Sequence, residues 1–167
     1  MRRLFSIISL TILFTSLYAQ KSELLPEDLN SSKVIFLKYE QIENDPRQPY
    51  SLRQQISHRN KISVEANRQL KLGASYYPYD YVLSTRSEYF DLKEQGYKYV
   101  LENDLMNAYN NGEVVEAAGN KIYAANMYLM DLETGKRFEL FTVKQHNIYD
   151  YDMIMKKFCK IVKKEFD

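Results

Sequence analysis

Two strand-like runs, Lys121 to Asp131 and Lys136 to Val143, flank the short stretch Leu132-Glu133-Thr134-Gly135. Hairpin loops of about four or five residues commonly place a glycine in the left-handed conformation near their end, and Gly135 fits that place. Alternation along the first run sets Tyr123, Ala125, Met127 and Leu129 on one face. Ile122, Ala124, Tyr128 and Met130 occupy the other, interrupted by Asn126. A strand apolar on both faces belongs inside a covered sheet, with strands beside it and helices over it. The corner itself is not a phosphate cradle. A P-loop needs two glycines followed by Lys and Ser or Thr opening a helix, whereas Gly135-Lys136-Arg137 enters a strand. Asp131 and Glu133 flank the turn and are expected to be solvated.

The remaining elements follow from periodicity and punctuation. Lys33 to Tyr39 is a compact apolar run rich in β-branched and aromatic residues, which predicts a buried strand. Glu43 to Ser51, with Pro46 and Pro49, reads as a loop. Ile62, Ala66 and Leu70 recur every fourth residue, predicting a helix over Ser57 to Leu72 with Gly73 as its stop. Tyr79 to Thr85 is the next strand. Ser87 can cap a short helix over Glu88 to Gln95, ended by Gly96, and Tyr97 to Leu101 follows as a strand that can extend to Ala108. Two strands joined by a short helix imply a right-handed parallel crossover. Asn110-Asn111-Gly112 and Gly119-Asn120 are turn signals around a polar stretch. The last helix starts at Asp150 or Asp152 and presents Ile154, Phe158, Ile161 and Val162 to a core. The expected fold is one α/β (α+β) domain over residues 33–167. It has a single mixed sheet of about five strands and about three helices, in the order β-α-β-α-β-β-β-α.

The start of the chain specifies a compartment. Arg2 and Arg3 precede an uncharged, mostly apolar stretch from Leu4 to Leu17, and Leu17-Tyr18-Ala19 offers a small residue for cleavage before Gln20. This is the layout of a secretory signal peptide over residues 1–19. The apolar stretch, about 14 residues, is shorter than the roughly 20 that a spanning helix needs. No cysteine follows the cleavage position, so a lipoprotein is not expected. The export reading gives a periplasmic or extracellular chain, with residues 20–32, polar and containing Pro26, as a flexible linker. Cleavage takes Arg2 and Arg3 from the 23 basic residues and leaves all 22 acids, so the exported chain is near neutral. That argues against nucleic acid as a partner, because its binders carry a basic excess. With Cys159 alone, no internal disulfide can form, and the core must hold the domain together.

Few residues converge in a way that chemistry requires. A cysteine nucleophile needs an accessible thiolate and a histidine base, whereas Cys159 lies at the apolar boundary of the last helix between lysines. His58 and His146 belong to no metal-spaced pair, and Asp150 and Asp152 read better as carboxylates at a helix start than as metal ligands. No catalytic set, metal site or cofactor motif is predicted. The 15 tyrosines, with no tryptophan, are the unusual feature. Tyr77, Tyr79 and Tyr81 would share one face of a strand, and Tyr97 and Tyr99 would lie beside them if those strands pair. Such a face is either a core layer with hydroxyls at its edge or a platform for a small molecule, glycan or peptide. Lys156, Lys157, Lys160, Lys163 and Lys164 form the arc opposite the apolar stripe of the last helix, either a solvated face or a contact for an anionic membrane or acidic partner.

Three stretches together resemble small α/β domains of the bacterial cell envelope, such as the amino-terminal domain of the Tol–Pal propeller protein and the curli-secretion lipoproteins. They are Lys33-Val-Ile-Phe-Leu-Lys38, Gly96-Tyr-Lys-Tyr-Val-Leu-Glu102 and Met127-Tyr-Leu-Met-Asp-Leu-Glu-Thr-Gly-Lys136. The likeness runs over residues 33–166, without the lipoprotein cysteine and without propeller repeats. It implies docking and assembly with an envelope protein, and no catalytic residues. One expectation follows from the helix stripe alone. Phe158→Asp should unfold the domain by burying a charge, and circular dichroism showing a native-like cooperative melt would contradict that face assignment.

Overall fold

The computed structural model describes residues 24–103, 123–145 and 151–167, with side chains undescribed at 123–125 and 144–145. The expected export signal, the turn signals at 110–112 and 119–120, the expected extension of the third strand toward Ala108, and His146 and Asp150 lie outside the described residues. The elements are β1 (Lys33–Leu37), α1 (Tyr50–Ala74), β2 (Tyr81–Ser84), α2 (Tyr89–Glu94), β3 (Tyr97–Asn103), β4 (Tyr123–Asp131), β5 (Arg137–Gln145) and α3 (Tyr151–Phe166). The expected order of five strands and three helices is the order observed.

The strands form one mixed sheet in the order β2-β1-β3-β4-β5. β1 pairs in parallel with both β2 and β3, while β3–β4 and β4–β5 are antiparallel. The chain therefore steps from β1 to one side and then back across it. Right-handed crossovers in opposite directions put α1 and α2 on opposite faces of the sheet. β4 is an interior strand, and its Met127, Tyr128 and Leu129 are buried, as its two apolar faces require.

The α1 and α3 face holds the aromatic core. Phe36 of β1 meets Tyr77, Tyr81 and Phe158 at ring separations of 5.2, 5.2 and 6.0 Å. Ile154, Phe158 and Val162 of the expected α3 stripe are buried, and Ile161 packs at the edge. α1 crosses α3 so closely that a Cβ on Gly73 would lie 2.5 Å from the Met155 Cβ. Gly73 thus sits within α1 rather than ending it, and its φ is not positive; the missing side chain serves the helix crossing. α1 also begins earlier than expected, directly after Pro49. A proline before the first turn does not obstruct a helix, because the first N–H groups have no partner within it.

Two asparagines on α1 settle the chain leaving β1. Asn67 pairs with both backbone groups of Tyr39 at 2.8 and 2.9 Å, and Asn60 does the same for Ile42 at 2.9 and 2.8 Å. Their spacing of two helical turns matches an extended segment lying along α1. The amides stand in for a neighbouring strand.

The expected linker over 20–32 is corrected over its described part. Leu25 and Leu29 belong to the core, and residues Leu29–Ser31 form a 3-10 turn. Asp28 accepts hydrogen bonds from Lys98 and Tyr99, each at 2.6 Å. A bulge in β3 opposite Lys33 and Val34 allows both side chains to reach it. These bonds, Lys98's first, hold the Asp28 carboxyl below its ordinary range. Segment polarity hid two buried leucines.

The turn glycines behave as expected at Gly96 and Gly135, with φ of 84° and 71°. Asp131, expected to be solvated, is only 7% exposed. Its carboxylate accepts the N–H groups of Glu133 and Thr134 at 2.7 and 3.1 Å, which orders the hairpin corner. Thr85, rather than Ser87, starts the turn into α2, where Glu88 reaches back to the Thr85 N–H at 3.0 Å.

The α1–α3 crossing makes a specific prediction. Gly73→Ala gains helix propensity of about 1 kcal/mol but must push two helices apart, at about 1–3 kcal/mol. The net cost, up to about 2 kcal/mol, should lower the melting temperature by up to roughly 8 °C. A raised melting temperature by circular dichroism would contradict the crossing.

Candidate functional site

The five tyrosines do not form one layer. Tyr77 and Tyr79 precede β2, so only Tyr81 lies in that strand. β1 separates β2 from β3, so the condition for Tyr97 and Tyr99 to flank the others is not met. Tyr77 is buried against Phe158, with rings stacked 5.7 Å apart. Tyr79 stands edge-on to Phe166 at 6.3 Å. The bulge in β3 puts Tyr97 in register with Lys33 and Tyr99 with Val34, turning the two rings to opposite faces. The Lys33 ammonium lies 5.4 Å from the Tyr97 ring centre, and Tyr99 is buried beside Phe138. Burial and the Asp28 carboxylate push the Tyr99 phenol up to about 12, so it stays a neutral donor.

A different group converges on the α2 face. Glu102 of β3 is 1% exposed, and its position opposite Tyr128 turns its carboxylate away from the aromatic core. Arg86 donates to one carboxylate oxygen at 3.1 Å, and the Tyr89 hydroxyl donates to the same oxygen. Tyr128 donates to the other oxygen at 2.8 Å. The Arg137 guanidinium lies 4.6 Å from the Tyr128 ring centre and closes that side with its cationic face. Burial alone would lower the Arg86 pKa, but attraction to Glu102 outweighs it and the net shift is upward. Burial, reinforced by Glu102, raises the Tyr89 phenol.

The sheet explains why these residues meet. β3 and β4 pair antiparallel, which sets Glu102 beside Tyr128, while the turn before α2 carries Arg86 and the first residue of α2 is Tyr89, both reaching the same carboxylate. A buried carboxylate is costly unless paired and hydrogen-bonded, and both conditions hold here. The chemistry available is that of a locked ion pair rather than of a base waiting for a substrate. No signal for this cluster exists in local spacing, because its members come from four separate segments.

The other candidates are spread out. Cys159 is buried, and burial pushes its thiol up to about 11, far from a reactive thiolate. His58 is exposed on α1. Among the described residues, no group of three or more His, Cys, Asp or Glu could hold a metal ion. The five lysines of α3 are exposed. Lys156 pairs with Asp152 at 2.7 Å and lies 5.6 Å from the Tyr76 ring centre, and Lys157 lies 4.3 Å from that of Phe141.

The Glu102 cluster can be tested as a structural lock. Glu102→Ala removes the shared acceptor of Arg86, Tyr89 and Tyr128, and should cost about 3 kcal/mol, or roughly 6–12 °C of melting temperature. Glu102→Gln keeps the shape and should cost less. A Glu102→Ala melt unchanged by thermal denaturation would show that the carboxylate holds nothing in place.

Comparison with known proteins adds little to this picture. No family model matches the chain. No curated protein matches it. Among solved structures it is similar to a PelC dodecamer from Paraburkholderia phytofirmans, with TM-score 0.34 and 13% identity. The alignment covers 78% of this chain and 85% of that one, and a likeness at that score transfers neither fold nor function.

Proposed function

We propose that this chain is an exported, non-catalytic domain of a bacterial cell envelope that acts by contact with another envelope protein. The observation that carries the reading is the state of Glu102. The most buried carboxylate among the described residues is already taken by Arg86, Tyr89 and Tyr128, so it is a strut within the domain. The export signal and the resemblance to envelope domains support the compartment.

A contact surface is available on the same side of the sheet. Phe90 in α2 is 83% exposed, while Leu92 of the same short helix is buried. A phenylalanine held in water by a helix whose other side is anchored is a suitable anchor for a partner's pocket, where aromatic residues dominate binding energy.

A photo-reactive amino acid at position 90 should give one discrete adduct with an envelope protein in producing cells. Phe90→Asp should weaken the contact by about 2 kcal/mol, roughly thirtyfold, with an unchanged melt. The absence of any discrete adduct would contradict the proposal.

A further inference from the structure

A second surface lies on the other side of the molecule, where α1 crosses α3. Met153, Lys156, Lys160 and Lys164 follow one another at helical spacings along the exposed side of α3. Met153 is 58% exposed. Leu72 near the end of α1 and Tyr76 in the turn just after it are 53% and 50% exposed. The contact between Lys156 and the Tyr76 ring joins the two stripes into one surface. Asp152 is the acid within it, and Lys156 neutralises it at 2.7 Å. Glu165 and Asp167 stand at its far end.

We infer that this surface rests on an anionic lipid headgroup layer. Two properties of the patch select that occupant. Its cations are exposed, and among the described residues no side-chain hydrogen bond or ion pair engages Lys160 or Lys164. Its apolar members are few, separate and placed beside the cations: a thioether, a leucine and a tyrosine. That mixture suits an interface where short apolar insertions sit just below charged headgroups. Tyrosine is itself favoured at that depth, with its ring in the apolar boundary and its hydroxyl in the headgroups. No helix among the described residues is long and apolar enough to cross a membrane, so the chain would lie on the surface by this patch.

This contact is independent of the protein partner proposed above, because Phe90 is on the opposite face. Residues 20–167, which carry every described element, can be sedimented with vesicles of phosphatidylcholine containing about one-third phosphatidylglycerol. Binding is expected to these vesicles and not to pure phosphatidylcholine, and to weaken as salt shortens the screening length. Lys160→Gln and Lys164→Gln should each weaken it about fivefold. Leu72→Ser with Met153→Ser should remove the binding that survives high salt. Phe90→Asp should leave it unchanged, which separates this contact from the other. Equal binding to neutral vesicles, no binding to anionic ones, or no effect of the lysine changes would overturn the inference. So would binding to polyglutamate without binding to vesicles, which would mark an acidic protein as the occupant.

Discussion

The structure depends on two adjacent strands that are apolar on both sides. In β1 the residues Val34, Ile35, Phe36 and Leu37 are all buried, and in β3 so are Tyr99, Val100 and Leu101. A sheet with such strands at its centre must be covered on both faces, and the described residues include three helices. α1 and α3 together cover one face, and their closeness at Gly73 lets Phe158 reach Phe36. Among the described residues, the other face carries the short α2. Beside it lies the ionic lock around Glu102, where two tyrosines and an arginine surround the carboxylate. Each buried side chain there is paired, which is the condition for polar groups to stand in for a core.

The fold was legible because it rests on period and punctuation. Two-faced apolar strands, a glycine at each of two turns and the Ile154–Phe158–Val162 stripe are local signals, and local signals survive in a single chain. What failed was local too, but ambiguous. Gly73 carries the mark of a helix end, yet the space it leaves is filled by Met155 from a segment about 80 residues away in sequence. Asp131 looks solvated in a polar turn, and its burial depends on the N–H groups that the turn itself directs toward it. The polar composition around Leu25 and Leu29 suggested a linker; two leucines and one carboxylate are enough to dock it.

The site was less legible, for a physical reason. Tyrosine serves equally as core filler, hydrogen-bond donor and exposed platform, so Tyr77, Tyr79, Tyr81, Tyr97 and Tyr99 could not be sorted by type. Strand order sorts them, and strand order is set by which helix crosses which face. Glu102 was unmarked because its partners are spread from Arg86 to Arg137. Asn60 and Asn67, which pair with the backbone beyond β1, could be noticed only by their spacing of two turns. Among the surfaces, the α3 lysines were visible in sequence, while the exposed Leu72 and Tyr76 beside them depend on the α1–α3 crossing.

Held from both faces, β1 and β3 should be the last described part of the molecule to open. Native-state hydrogen exchange read residue by residue tests this most directly. The account predicts that amides of Val34–Leu37 and Tyr99–Glu102 exchange only through global unfolding, with those of α3 close behind and edge strands β2 and β5 opening at lower free energy. Exchange of the β1 and β3 amides ahead of the edge strands would contradict it.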